Sequence, residues 1–174
     1  MADGKWSGIL SPAPVSTGFV CHFLQPRLIL ANIDRSVLVP FTPEQLYALV
    51  DRVEDYPRFL PWCGGTVVHG RDDRSTRAAI TIDFKGIRQS FSTENLNAPP
   101  NRIDMRLVEG PFKKLDGTWQ FHALGDDACK VEFRLHYEFS SRLLEKLVGP
   151  VFDHIAGTFV DAFVTRAEQV YRRP

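Results

Sequence analysis

From residue 64 to residue 139 the chain alternates apolar and polar side chains, and this period of two dominates what it can fold into. The clearest stretch is Val131, Phe133, Leu135, Tyr137 and Phe139, set against Lys130, Glu132, Arg134, His136 and Glu138. Ile103, Met105 and Leu107 alternate in the same way with Arg102, Asp104 and Arg106, and Leu115, Gly117, Trp119 and Phe121 with the residues between them. Ala78, Ile80, Ile82 and Phe84 form one face of an earlier strand. Strands with one dry and one wet face belong to antiparallel sheets. The intervening turns (Asp72 to Ser75, Lys85-Gly86, Asn97 to Asn101, Gly125 to Asp127) are too short for crossover helices, so the strands form a meander.

One dry sheet face needs a cover. From Ser141 the period changes to that of a helix. Leu144, Leu147, Val151, Ile155, Phe159, Ala162 and Val170 form a stripe widened by Val148, Phe152 and Phe163. Gly149-Pro150 is expected to kink or interrupt this helix, because proline lacks a backbone donor. Before the sheet, Asn32 to Val39 reads as a first strand. Thr42-Pro43-Glu44-Gln45 reads as a capped helix start, and Asp51 to Leu60 as a second short helix. The expected class is α+β: a curved antiparallel sheet around a long C-terminal helix, with an internal apolar cavity.

The chain has 174 residues, enough for one domain. Its 21 Lys and Arg balance 21 Asp and Glu, which argues against a general polyanion binder and against DNA as a partner. Three scattered cysteines imply no disulfide framework and suit a reducing compartment, the cytoplasm. No stretch reaches the roughly 18 apolar residues of a membrane-spanning helix. Residues 1–32 lack any period. They read as a disordered extension or as the product of a start codon placed too far upstream, leaving 33–174 as the domain.

The five histidines show no metal spacing with one another or with the cysteines, and no nucleophile or phosphate-loop motif is present. Neither catalytic residues nor metal ligands are therefore expected. The 13 phenylalanines instead suit an interior shaped for an apolar ligand. Parity assigns Ile82, Phe84, Phe91, Met105, Trp119, Phe121 and Phe133 to the sheet wall of a cavity. Helical spacing assigns Val151, Ile155, Phe159 and Phe163 to the opposite wall. Gln89 and Thr93 share the parity of Phe91. They are either inward hydrogen-bond donors to a ligand or solvent-facing residues of an edge. Tyr56, Phe59, Leu60, Trp62 and Cys63 precede two glycines and read either as the cavity entrance or as packing of a short helix on the sheet rim.

The segment Val53-Glu54-Asp55-Tyr56-Pro57-Arg58-Phe59-Leu60-Pro61-Trp62-Cys63 resembles a signature of the coenzyme Q-binding START-like family. So do Val108-Glu109-Gly110-Pro111-Phe112-Lys113-Lys114-Leu115 with Trp119-Gln120-Phe121, and the ending Phe152 to Tyr171. The likeness runs from about Ile33 to Arg172, and the Phe112 to Leu115 wording leans to the bacterial branch. The resemblance implies the helix-grip fold of START and Bet v1-like domains. It implies non-enzymatic binding of ubiquinone or a related isoprenoid lipid in the sheet–helix cavity, in support of respiration. That would bring transient contact with a membrane surface, with the quinone as bound ligand and no cofactor required. For some bacterial members it implies instead a toxin that binds the large ribosomal subunit and blocks subunit association. A polyketide cyclase-like enzyme is the third expectation, because the fold also hosts cyclases.

Overall fold

The computed structural model describes residues 31–172. The reading of residues 1–32 lies outside the described residues up to residue 30, while Ala31 and Asn32 open the first strand. The elements run β1 (Ala31–Val39), α1 (Pro43–Asp51), a 3-10 turn (Val53–Arg58), β2 (Cys63–Arg71), β3 (Ser75–Phe84), β4 (Ile87–Ala98), β5 (Arg102–Glu109), β6 (Phe112–Ala123), β7 (Cys129–Phe139) and α2 (Arg142–Tyr171).

The seven strands form one sheet in the order β1-β7-β6-β5-β4-β3-β2, with every neighbouring pair antiparallel. The meander expected from the alternation is therefore present. The first strand returns beside the last, in register from Ala31↔Tyr137 to Val39↔Cys129. The β3–β4 connection is a two-residue turn with Lys85 at φ 51° and Gly86 at φ 80°. Such left-handed turns follow the twist of a hairpin, and Gly86 adopts that conformation without a Cβ clash.

α1 begins as its sequence prescribes. The Gln45 amide donates to Thr42 Oγ1 (3.4 Å), and the Thr42 amide donates to Gln45 Oε1 (2.9 Å). The second short helix is only a 3-10 turn. Pro57 lies inside it and cannot donate to an α ladder. The turn is held by Asp55 N donating to Arg52 O (3.0 Å) and Phe59 N donating to Tyr56 O (3.2 Å).

α2 corrects two expectations. Gly149-Pro150 does not interrupt it, and it continues for 30 residues. Pro150 faces outward, as does Lys146 one turn back, so water can serve the carbonyl that the proline leaves without a donor. The buried stripe is also turned from the expected one. Val148, Phe152, Ile155, Ala156, Val160, Phe163 and Ala167 face the sheet, whereas Leu147 is 58% exposed and Val170 46%. By length and composition α2 could cross a bilayer, contrary to the reading of apolar runs alone. Its aromatic face is committed to the sheet, where Phe152 lies 4.6 Å from Tyr137 and Phe163 lies 5.3 Å from Trp119 between ring centres.

Candidate functional site

Between the curved sheet and α2 lies an apolar cavity of about 60 Å³. Strand parity brings Ile80, Ile82, Phe91, Thr93, Asn95, Met105, Leu115, Phe133 and Leu135 to one wall. α2 supplies Phe152, Ile155, Ala156 and Phe159, and the segment after α1 adds Val53, Tyr56 and Trp62.

Of the residues singled out in the sequence, Tyr56, Trp62, Ile82, Phe91, Thr93, Met105, Phe133, Ile155 and Phe159 thus meet around one space. Leu60, Trp119, Phe121 and Phe163 are buried behind that lining. Phe59 turns away and packs on Phe163 (5.2 Å), with the Arg166 guanidinium 5.6 Å over its ring. Phe84 stacks on His154 at 5.8 Å outside the lining. Cys63 is buried, its Sγ 3.7 Å from the Gly65 carbonyl. Burial pushes its thiol up from the ordinary value, which makes it a poor nucleophile. Gln89 lies in an outer groove and not in the cavity.

The polar content of the cavity is sparse. Thr93 Oγ1 donates to Asn95 Oδ1 at 3.1 Å, with both residues buried. The Tyr56 hydroxyl donates to the Val50 carbonyl at 2.7 Å, and burial raises its phenol well above the ordinary value. No carboxylate or imidazole is among the lining residues. Asn95 was missed in the sequence although it shares the parity of Phe91 and Thr93. Among the described residues no group of three His, Cys, Asp or Glu side chains is placed to hold a metal.

Trp62 and Tyr56 form a closed wall, only 6% and 4% exposed. The Trp62 carbonyl accepts from the Asp83 amide at 2.8 Å, and the Cys63 amide donates to Leu60 O at 3.0 Å. Around Phe91 the surface is different. There a groove of about 470 Å³ runs over Gln89, Ser90, Phe91, Ser92, Glu109, Gly110, Pro111 and Leu144.

The outer face of the sheet carries the charges. Arg102 pairs with Asp104 (2.8 Å), which also accepts from the Thr118 hydroxyl (2.8 Å). Lys114 and His136 flank Asp116 at 3.0 and 3.2 Å, and Arg134 reaches Asp34 at 3.3 Å.

A sequence model of the family described as polyketide cyclase / dehydrase and lipid transport matches residues 39–164. The chain is 41% identical to the ribosome association toxin RatA of Escherichia coli K12 over 149 residues, covering 86% of this chain and 94% of that protein. It is 27% identical to the mitochondrial coenzyme Q-binding protein COQ10 homolog B of Xenopus laevis, covering 94% of this chain and 69% of that protein. In structure it resembles the ZhuI aromatase/cyclase of Streptomyces sp. R1128, with a TM-score of 0.74 at 12% identity over 83% of this chain and 97% of that one. At that identity the likeness concerns the fold alone.

Proposed function

The chain belongs to the polyketide cyclase / dehydrase and lipid transport family, and we propose that it acts without chemistry of its own, binding the large ribosomal subunit and blocking subunit association. The observation that carries this reading is the 41% identity to a ribosome association toxin along 94% of that protein's length. The interior supports it by its size. A space of about 60 Å³ is far below the roughly 300–1,000 Å³ of ordinary ligand pockets. The ubiquinone reading favoured by sequence therefore takes second place. The lining also argues against a cyclase, which needs an acid and a base aimed at its substrate.

The surface for such an assembly is the outer face of the sheet, where Arg102, Arg106, Lys130 and Arg134 alternate with Asp104, Asp116 and Glu132 and with uncharged Thr118 and Gln120. Phosphate oxygens can take the place of the carboxylates that now hold Arg102 and Arg134. Sedimentation of the full chain with purified 30S, 50S and 70S particles tests this. It should travel with 50S and keep 30S and 50S from joining into 70S, and raised salt should weaken it. The double variant Arg102→Glu/Arg106→Glu should lose co-sedimentation while still unfolding cooperatively. A chain that stays at the top of the gradient at low salt refutes the reading.

A second reading is reversible binding of ubiquinone or another neutral isoprenoid lipid. The buried Thr93–Asn95 pair favours it, because polar side chains inside an apolar lining are suited to hydrogen-bond a ligand carbonyl.

A further inference from the structure

We propose that Phe91 is the door of the cavity, and that past it the chain admits a flat, uncharged ring bearing a carbonyl or hydroxyl group. The proposal rests on the second reading above and adds the route, the moving part and the polar end of the site.

Phe91 lines both the inner cavity and the outer groove. The two spaces, about 60 and 470 Å³, have Phe91 in common, and its side chain is half-buried. Once joined, they reach the size of ordinary ligand pockets. The ring is held edge-on by Phe112 at 5.6 Å and Phe152 at 6.4 Å, and no hydrogen bond fixes it.

The backbone around the door is paired on one side only. β4 pairs with β5 only from Ser92 onward, so Ile87 to Phe91 are held by β3 alone. The register then shifts between Ser92 and Thr93, where Ser92 faces Glu109 and Thr93 faces Leu107. Gly110 closes the outer side with bare backbone. A Cβ there would lie 2.6 Å from Phe91 Cβ, and its φ of 148° disfavours any other residue. Elsewhere in the lining Tyr56 and Trp62 are pinned by the hydrogen bonds already described.

Beyond the door the strand itself sets the order of contacts. Thr93 and Asn95 follow Phe91 on the same face, two and four residues on, so the polar pair lies within about 14 Å of it. Asn95 is 6% exposed. Thr93 Oγ1 occupies its Oδ1, which leaves its amide N–H groups to donate to an incoming oxygen. The site holds no charge to meet an ion, so the ligand is neutral.

Stopped-flow uptake of prodan, a flat neutral naphthalene ketone whose emission reports an apolar site, tests this on the full chain. Phe91→Ala should speed uptake at least tenfold. Leu144→Trp, which fills the groove outside the door, should slow it several-fold and decides the matter alone if Phe91→Ala does not fold. Asn95→Leu should weaken affinity about five- to tenfold with the association rate unchanged. Phe59→Leu, on the pinned wall and outside the lining, should leave the rate as it is. Saturable binding whose rate ignores Phe91→Ala and Leu144→Trp overturns the door but leaves the second reading standing. No saturable binding to the wild type or to Phe91→Ala overturns both.

Discussion

The two faces of the sheet are built from the same strands and have opposite characters. On the inner face, Val131, Phe133, Leu135, Tyr137 and Phe139 of β7 are all buried, with Phe133 centred 4.5 Å from Trp119. On the outer face, the intervening Lys130 and Glu132 pair at 2.5 Å, and Arg134 reaches across to β1. Inner contacts are dense, apolar and hard to change, because interiors are packed like crystals. Outer contacts are exposed ion pairs worth little each. A single residue step along a strand thus moves a side chain from one regime to the other. The two functional readings occupy opposite faces, so substitutions can separate them.

The sharpest way to break this contrast is a charge on the inner side. Phe163→Asp places a carboxylate at a site 1% exposed among the rings of Trp119, Phe59 and Tyr56. An unpaired buried charge costs several kcal/mol. Cooperative thermal unfolding should disappear, and a retained transition near the wild-type temperature would mean that α2 does not seal the core.

A smaller blow on the same face is Gly117→Ala. The new Cβ would lie 2.6 Å from Met105 Cε, 3.0 Å from the Arg134 carbonyl and 3.1 Å from Leu135 Cδ1. Overpacking of this kind costs about 1–3 kcal/mol. Urea unfolding should show that loss in the midpoint with an unchanged slope. A neutral result would show that Met105 and its neighbours have room to move.

The least effect belongs to the outer face and reads out with pH. Partial burial raises the Asp104 carboxyl, but hydrogen bonds from Arg102 and Thr118 outweigh it and hold the group below its ordinary value. Lys114 and His136 do the same for Asp116 against the same opposing burial. A carboxyl held low in the folded state adds stability that is fully present above the unfolded value of about 3.9 and is lost as pH falls through the folded one. Melting temperature should therefore hold from neutral pH to about pH 5 and then decline. Asp104→Asn should flatten part of that decline, and a parallel curve would show that the pair contributes nothing.

Most of the sheet was legible because alternation ties each residue to a face. Where the reading slipped, a second force decided. Along α2, leucines and phenylalanines occupy more than one side, so apolarity alone does not choose the buried one. The rings of Phe152 and Phe163 mesh with aromatic partners on the sheet, while Leu143 and Leu147 are left outside at 68% and 58% exposure. Gln89 and Asn95 have equal parity and opposite fates. Gln89 precedes the point where β5 joins β4, and Asn95 follows it, opposite Met105. That joining point is a tertiary fact with no local signal. Pro57 did carry a signal, and it explains why the second helix contracted to a 3-10 turn.

The sheet does not close on itself, and its two margins are finished differently. β2 breaks register twice against β3, between Cys63 and Gly65 and again between Val68 and Gly70. Such breaks twist a border strand and spoil it as a template for a foreign one. β1 keeps an even register with β7 over all nine of its residues. Among the described residues no strand pairs with its other edge, which is the straight one, and Leu38 stands 69% exposed near its end. Chain-to-chain strand addition, the first step toward swapped dimers or aggregates, is therefore favoured along β1 and hindered along β2.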